Sequence, residues 1–396
     1  MKALIITNHS FMLWRFRLHL LSALCKRGEV VVLTPDNGKL DELKAVGCRV
    51  IVTEVDRRGL NPLTDLKLLR RYRSLIKEEK PTFVLTFSIK PNLYGGFACR
   101  SLGIPYFTHV QGLGSAFESK LLAPFVTLLY RRAAKGARAV FFENQGDRDA
   151  LVARRVVTPD KTRVLAGAGI DLDAFPYHPY PKTTPITFLF LGRLMKEKGV
   201  EELFYAAERI KARYGERVAF SAAGFFEEAY AERVKDLASR GILTFLGFRE
   251  DVLSLYQAAH AVILPSYHEG MSNVLLEGGA VGRPLITTDV PGCREAVVDG
   301  ESGYLVPVAD AEALYAAIEK LLLLPDDARE KMGLSGRAHI ANIFDKRRVV
   351  ADTIGYLWEG LGLPCDDTPT EAAPSLSEDL PENNAASASD GKGGEV

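Results

Sequence analysis

The segment ITFLFLGRLMKEKG, residues 186–199, joins a strand to a helix through a charged turn. Residues 186–191 form a short apolar run of the kind that fills a buried strand. Gly192 follows at the strand end, where the absence of a Cβ lets a ligand approach the backbone. An amphipathic pattern over residues 200–213 then predicts a helix. The segment is therefore one strand–turn–helix unit of an α/β fold.

The same alternation of short apolar runs and helical patterns continues on both sides of this segment. In the first half the predicted strands are residues 3–7, 30–34, 49–53, 83–86, 106–110 and 139–142, and the predicted helices are 15–26, 63–79 and 121–134. In the second half the further strands are residues 218–222, 243–245, 261–264 and 284–287, and a helix is predicted over 273–281. This order is typical of parallel sheets built from βαβ units. We predict an α/β protein with two Rossmann-like, doubly wound domains that face a cleft.

A proline-rich stretch marks the boundary between these domains, with prolines at 176, 179, 181 and 185. Proline fixes φ and removes a backbone donor, so the stretch predicts a linker. We assign residues 1–175 to a first domain, 176–185 to the linker and 186–344 to a second domain. Residues 345–363 are predicted as a helix that returns to the first domain. Residues 364–396 lack aromatic side chains and are rich in Ser, Ala, Pro, Asp and Glu, which predicts a disordered acidic tail.

The overall net charge of zero conceals a basic first half. Residues 1–175 contain 28 Lys and Arg against 16 Asp and Glu. Basic residues recur at 11–17, 57–58, 70–73 and 120–132, and the last stretch is apolar with basic ends, a composition that suits an anionic membrane surface. The alternatives are a solubilising surface for the basic half and a core helix for residues 120–132. No apolar run approaches the ~18 residues needed to span a bilayer, so the expected membrane contact is peripheral. The five scattered cysteines form no C-x-x-C pair and favour a reducing cytoplasm.

Two cations stand on the turn after residues 186–191. Arg193 offers a bidentate guanidinium and Lys198 a mobile point charge, and both are within reach of one pyrophosphate. The alternative for this turn is a polar connection with surface charges.

A second constellation, PSYHEGMSNVLLE, occupies residues 265–277 after another predicted strand. Ser272 or Asn273 is expected to cap the following helix, leaving the amides of residues 270–274 free as an anion site. Glu269 precedes the cap and Glu277 lies about one turn inside the helix, so both carboxylates can accept hydrogen bonds from sugar hydroxyls. Glu277 lies among apolar neighbours, and a partly buried carboxylate needs partners, which favours a function over a solvated helix charge.

The turn Gly-Arg-Leu-x-x-x-Lys-Gly, followed by Glu-Gly-x-x-x-x-x-x-Glu, resembles the retaining glycosyltransferases of family 4, which have the GT-B fold. The segments FSIKPNLYG, residues 87–95, and GLGS, residues 112–115, resemble in particular the bacterial enzymes that extend polyprenyl-diphosphate-linked sugars in capsule, O-antigen and N-glycan assembly. The resemblance covers residues 1–363 and implies that the first domain, residues 1–175, binds the acceptor and that the second, residues 186–344, binds the donor. It implies transfer of a hexose or N-acetylhexosamine from a nucleotide-sugar donor, expected to be a UDP-sugar, to a lipid-diphosphate-linked glycan at the cytoplasmic face of the inner membrane.

By this resemblance, Arg193 and Lys198 neutralise the donor diphosphate, Glu277 holds the ribose and Glu269 orients the donor sugar. His109 is a candidate site residue near the donor sugar, with an ordinary strand-end histidine as the alternative. The catalytic candidates are therefore Glu269, Lys198, Arg193 and His109. The donor-binding candidates are Arg193, Lys198, Phe248, Arg249, Glu269, Gly270, Met271, Ser272, Asn273, Val274 and Glu277.

The resemblance implies no cofactor and no metal, because cations and a helix dipole can neutralise the leaving diphosphate. No nucleic-acid partner is expected. Two departures from the family stand out: residues 8–11 are Asn-His-Ser-Phe where many members have a Gly-Gly loop, and residues 223–225 are Ala-Gly-Phe where Gly-Asp-Gly is usual.

Three other functions fit parts of the pattern. A nucleotide-sugar 2-epimerase has the same architecture, and a non-catalytic nucleotide-sugar binder needs the same residues. A dinucleotide-dependent dehydrogenase is disfavoured because no G-x-G-x-x-G follows an early strand.

Overall fold

The computed structural model describes residues 1–55, 61–113, 117 and 122–364. It contains two parallel sheets covered by helices, and this confirms the predicted fold class. The predicted acidic tail, the arginines at 57 and 58, and residues 114–115 of the GLGS segment lie outside the described residues.

The first sheet has the strand order β3-β2-β1-β4-β5-β6-β7. Its strands are β1 (Lys2–Ile6), β2 (Glu29–Thr34), β3 (Cys48–Val52), β4 (Phe83–Phe87), β5 (Tyr106–Val110), β6 (Ala139–Phe142) and β7 (Thr162–Val164). The helices around it are α1 (Ser10–Cys25), α2 (Leu40–Ala45), α3 (Pro62–Glu79), α4 (Gly96–Leu102), α5 (Ala123–Ala134) and α6 (Gln145–Ala153).

The second sheet has the strand order β10-β9-β8-β11-β12-β13. Its strands are β8 (Ile186–Leu191), β9 (Val218–Ala223), β10 (Thr244–Phe245), β11 (Ala261–Leu264), β12 (Leu285–Thr288) and β13 (Gly303–Val306). The helices are α7 (Val200–Tyr214), α8 (Ala231–Ser239), α9 (Leu253–Ala258), α10 (Asn273–Val281), α11 (Ala311–Leu323) and α12 (Asp326–Phe344).

The last helix, α13 (Lys346–Leu361), leaves the second domain and packs on the first. Val350, Ile354, Leu357 and Trp358 are buried in the same hydrophobic cluster as the α1 and β4 side chains. The Trp358 ring meets the Phe83 ring edge-on, with 6.4 Å between centroids. Apolar burial of this kind stabilises the crossing by about 1.5–3 kcal/mol for each fully buried large side chain.

The strand order of each sheet reverses at one point, between β1 and β4 in the first and between β8 and β11 in the second. In open α/β sheets the loops at such a switch point line a crevice at the carboxyl ends of the strands. The loops after β8 and β11 are those that carry the two charged constellations. Topology therefore explains why motifs about seventy residues apart in sequence lie side by side.

Candidate active site

The turn after β8 and the loop after β11 are locked together by backbone contacts. The amide of Tyr267 donates to the carbonyl of Glu197 at 2.8 Å. Gly199 has φ +69°, and a Cβ at this position would lie 2.1 Å from the carbonyl oxygen of Pro265. Glycine is therefore required where the 3-10 turn Lys196–Lys198 passes into α7. The result is a fixed frame for the Lys198 side chain.

Lys198 reaches from this frame to Glu269 in the neighbouring loop. Its Nζ forms an ion pair with Glu269 Oε1, and both side chains are only 15% exposed. Ser266 Oγ donates to the same carboxylate oxygen at 2.8 Å. The structure therefore brings together two of the residues that the sequence singles out, as a partly buried acid–base pair at the crevice.

Arg193 does not join that pair. Its guanidinium lies 3.6 Å from Glu227 Oε2, and the arginine side chain is 43% exposed. Gly224, at the end of β9, lies directly against Gly192: a Cβ at Gly224 would come 1.8 Å from the Gly192 carbonyl oxygen. Arg193 is thus held on the rim of the crevice by a carboxylate from the loop after β9.

Helix α10 begins as the sequence predicts, with Ser272 as its N-cap and Asn273 as its first residue. Ser272 Oγ accepts a hydrogen bond from the Leu275 amide at 3.4 Å. One expectation needs correction: the amides of residues 270–274 are not all free, because the Ser272 amide donates to the Gly292 carbonyl at 2.8 Å. Fewer amides are therefore free to bind an anion at the start of α10. Val274 lies half-buried in the first turn.

Glu277 lies one turn into α10 and is only 7% exposed. Its Oε2 accepts a hydrogen bond from the Tyr256 hydroxyl at 2.9 Å, and its Oε1 lies 3.3 Å from Nη2 of Arg15. Burial raises the pKa of Glu277, while Arg15 acts in the opposite direction. The expectation that this carboxylate has partners is confirmed, and one partner comes from the other domain.

Gly270 lies in close contact with the first domain. A Cβ there would lie 2.0 Å from the Gln111 carbonyl oxygen and 3.1 Å from Glu143 Oε2. Asn144 Nδ2, at the start of α6, donates to the Gly270 carbonyl at 2.5 Å. The next residue, Met271, is 6% exposed. The loop after β11 therefore packs against the carboxyl edge of the first sheet.

Phe248 and Arg249 lie on the surface at the carboxyl end of β10. Phe248 is 59% exposed, and its ring lies 6.5 Å from that of Phe225, which is 47% exposed and follows β9. Exposed aromatic faces of this kind can stack on a planar base. Phe225 is the last residue of the Ala-Gly-Phe segment that stands where Gly-Asp-Gly is usual in the family.

His109 ends up completely enclosed rather than lining an open crevice. Its ring stacks on Phe87 with 5.1 Å between centroids. Its Nε2 lies 3.2 Å from Nη2 of Arg17 and 3.3 Å from Oε1 of Glu143, and those two residues form a buried ion pair. Burial lowers the pKa of His109 to about 4, with Arg17 as a further cause. His109 is thus neutral at pH 7, and its role in the site stays a prediction.

This low pKa predicts a loss of stability on mild acidification. The unfolded imidazole binds a proton near pH 6.5, whereas the folded one resists it until about pH 4. The contribution of His109 to the free energy of unfolding is therefore fully present above pH 6.5. It falls as pH decreases towards 4, by about 2 kcal/mol between pH 7 and pH 5. Urea unfolding of the wild type and of His109→Gln at both pH values checks this. The variant should lose that part of the pH dependence, and an equal dependence in both proteins would contradict it.

Sequence reasoning missed Arg15, Tyr256 and Asn144. The one signal was the apolar surroundings of Glu277, which indicated that partners exist but not which. The sequence pattern places Arg15 and Arg17 on a membrane-facing basic surface, and the structure contradicts this. Arg15 pairs with Glu277, and Arg17 is 3% exposed beside Glu143.

Two family models match the chain, one for each sheet. The model described as "Glycosyl transferases group 1" matches residues 185–323, and that described as "Glycosyl transferase 4-like domain" matches residues 13–168. Together they include both charged constellations and most of the first sheet.

Curated relatives extend over most of the chain. An N,N'-diacetylbacillosaminyl-diphospho-undecaprenol alpha-1,3-N-acetylgalactosaminyltransferase of Campylobacter jejuni is 27% identical, covering 82% of this chain and 90% of the relative. A UDP-Gal:alpha-D-GlcNAc-diphosphoundecaprenol alpha-1,3-galactosyltransferase of Escherichia coli is 24% identical over 80% of this chain and 85% of the relative. Among solved structures, Anabaena Alr3699/HepE in complex with UDP and glucose has a TM-score of 0.75 at 18% identity, covering 90% of this chain and 99% of that one.

Proposed function

We propose that this chain, whose two domains match the group 1 and 4-like glycosyltransferase models, moves a hexosyl or N-acetylhexosaminyl unit from a nucleotide-diphosphate donor to a polyprenyl-diphosphate-linked saccharide, with retention. The observation that carries the proposal is the Lys198–Glu269 pair at the switch point, beside the helix that presents Glu277. These groups match the chemistry of a nucleotide sugar: a cation for the central diphosphate and carboxylates for the hydroxyl groups of the ribose and the sugar on either side of it.

Charge neutralisation at the leaving diphosphate is the main catalytic task. Lys198 and Arg193 supply two cations, and the first turn of α10 supplies amide donors and the positive end of a helix dipole. These groups are fixed before the donor arrives, so little reorganisation accompanies bond breaking. We propose that they perform this task without a resident metal or cofactor.

Glu269 and Glu277 are proposed to bind the donor rather than to react with it. Each carboxylate has protein partners, Lys198 and Ser266 for Glu269 and Arg15 and Tyr256 for Glu277. A carboxylate in such contacts is well placed to accept hydrogen bonds from sugar diols. In the proposed reaction the anomeric carbon loses the diphosphate through an oxocarbenium-like state, and the acceptor hydroxyl attacks from the same face.

The proposed acceptor rests on the relatives from Campylobacter jejuni and Escherichia coli. Their names state acceptors linked to undecaprenyl through a diphosphate. The donor nucleotide is proposed to be UDP, which the name of the Escherichia coli relative also contains. Both family models describe transferases, and this favours transfer over the epimerase alternative.

A thermal-shift panel of UDP-, GDP- and dTDP-sugars, followed by a transfer assay, tests the proposal. One donor at 100 times its Kd should raise the Tm by about 3–4 °C. With that donor and a synthetic polyprenyl-diphosphate saccharide, the product should carry the donor's anomeric configuration. An inverted product would refute retention. Formation of an epimer from UDP-N-acetylglucosamine alone would favour the isomerase.

We also propose that the first domain binds the cytoplasmic face of the inner membrane peripherally. Among the described residues, no helix combines the length and the apolar character of a membrane span. The proposed contact is instead the outer faces of α3 and α5, which pack in one layer on the first sheet. Exposed apolar residues stand near the start of each helix, and basic residues follow them: Leu63, Leu66, Arg70 and Arg73 on α3, and Phe125, Leu128, Arg131 and Arg132 on α5.

The position of these faces suits a lipid-linked acceptor. Both helices return antiparallel to the parallel strands, so their first turns lie at the carboxyl edge of the sheet, where the crevice is. Phe125 and Leu128 are 60% and 41% exposed. Apolar side chains flanked by arginines are typical of an interfacial helix face. A polyprenyl diphosphate anchored beneath this edge would present its glycan to the crevice.

Replacement of Phe125 and Leu128 by serine should weaken binding to anionic vesicles by tenfold or more, since each buried apolar side chain contributes about 1.5–3 kcal/mol. Vesicle flotation at low salt measures the effect. The matched control is the pair Leu334→Ser and Ile343→Ser on α12, which are 45% and 39% exposed in the second domain. Equal flotation of wild type and the Phe125/Leu128 variant would exclude this face as the membrane contact.

A further inference from the structure

An ion pair crosses the domain boundary inside the candidate active site. Nη2 of Arg15, on α1 of the first domain, lies 3.3 Å from Oε1 of Glu277 on α10 of the second. The arginine side chain is 24% exposed and the glutamate side chain 9%. The guanidinium therefore lies nearer the solvent than the carboxylate, and a ligand that enters the crevice meets Arg15 first.

The two oxygens of Glu277 have different partners. Oε2 is held on the buried side by the Tyr256 hydroxyl at 2.9 Å, and Tyr256 itself is fully buried. Oε1 faces the other domain and Arg15. The Tyr256 contact fixes the carboxylate in place, so a change of partner at Oε1 does not require Glu277 to move.

Three cations at the crevice share one feature: each is paired with a carboxylate. Arg15 pairs with Glu277, Lys198 with Glu269, and Arg193 with Glu227. A nucleotide sugar brings hydroxyl groups and a diphosphate at the same time. Hydroxyl groups are partners for the carboxylates, and the diphosphate is a partner for the cations.

We infer that Arg15 is a donor-binding residue that exchanges partners: when the ribose hydroxyls take Oε1 of Glu277, the Arg15 guanidinium turns to the donor diphosphate. The inference rests on the proposed function, in which Glu277 holds the ribose. The first domain thereby supplies a third cation to the leaving group, in addition to Lys198 and Arg193 of the second domain.

Electrostatics give this exchange a direction. A half-buried guanidinium that loses its carboxylate is left uncompensated, which is costly away from water. The diphosphate, attached to the same nucleoside, supplies negative charge within one side-chain length of Glu277. Arginine is suited to this change of partner because its planar fork binds carboxylate and phosphate oxygens alike.

Binding of a nucleoside and of its diphosphate to the Arg15→Gln variant separates the two halves of this exchange. The nucleoside offers its ribose to Glu277 but carries no diphosphate. Because Arg15 competes with the ribose for Glu277, its removal should tighten nucleoside binding by a few-fold. The nucleoside diphosphate should bind about tenfold more weakly, because a charge-assisted contact is lost. Titration calorimetry with uridine and UDP, or with the pair whose base the wild type prefers, measures both constants.

Three further variants complete the test. Arg15→Lys retains a cation and should keep UDP affinity closer to wild type. In a Glu277→Gln background, Arg15→Gln should no longer tighten nucleoside binding. Lys44→Gln removes an exposed cation of the same domain, paired with Asp41 on α2, and should change neither constant.

An unchanged ratio of the uridine and UDP dissociation constants in Arg15→Gln would overturn the exchange and leave Arg15 as a structural ion pair. The proposed function fails differently. If the wild type binds no nucleoside diphosphate, or if Glu277→Gln alone leaves nucleoside affinity unchanged, the donor assignment itself is refuted.

Discussion

Replacement of Lys198 by alanine is expected to lower turnover by about 10²–10³-fold, the usual cost of removing one fixed stabilising group from a developing negative charge. Lys198 is held on a short turn by the Gly199–Pro265 contact, so its ammonium group is positioned before the donor binds. The effect should appear in kcat more than in KM, because the diphosphate gains its full charge as the glycosidic bond breaks. Initial rates over a range of donor concentrations measure it.

The matched control is Lys196→Ala on the same turn, where the lysine is exposed. Its rates should remain within about twofold of wild type, since exposed charges are strongly screened. Both variants should unfold at nearly the wild-type temperature, although Lys198→Ala releases Glu269 from its ion pair. Near-normal turnover in a folded Lys198→Ala protein would refute its role at the diphosphate.

The isosteric change Glu277→Gln is expected to weaken donor binding by about 10–100-fold, because hydrogen bonds to charged groups contribute about 1.5–3 kcal/mol. The Tyr256 hydroxyl can still donate to the amide oxygen, so the buried end of the contact survives. Arg15, in contrast, loses its charged partner. Nucleoside and nucleoside diphosphate should be affected to a similar extent, because the ribose is common to both. Calorimetric titration with each ligand measures the loss.

The control is Glu301→Gln, which changes an exposed carboxylate in the same domain. This substitution should leave donor affinity unchanged. If Glu277→Gln bound the donor as tightly as wild type, the carboxylate would have only a packing role between Tyr256 and Arg15.

Much of the fold can be predicted from the sequence because it depends on local pattern. The apolar runs at residues 186–191 and 261–264 coincide with β8 and β11, and Ser272 caps α10 at the expected place. Two strands escaped prediction, β7 and β13. β7 is three residues long and contains Arg163, and β13 has only three apolar residues after its glycine, so neither shows the run of about four or more apolar residues that is typical of a buried strand. Helix α1 begins at Ser10, five residues before the predicted start.

The site residues show the same contrast: those that depend on local pattern can be predicted, and those that depend on tertiary packing cannot. Lys198, Glu269 and Glu277 were found because each stands at a fixed spacing from a strand or a helix start. Arg15 was not, because 262 residues separate it from Glu277 and only the packing of the two domains brings them together. The enclosure of His109 by Arg17 and Glu143 likewise depends on three separate elements, α1, β5 and the end of β6.

A crystal structure of the protein with its preferred nucleoside diphosphate tests the central claim most directly. We predict the ribose hydroxyls on Glu277 and diphosphate oxygens within about 3 Å of Lys198 Nζ, the distance of a charge-assisted hydrogen bond. A diphosphate bound away from the turn after β8, with Lys198 still paired to Glu269, would contradict it.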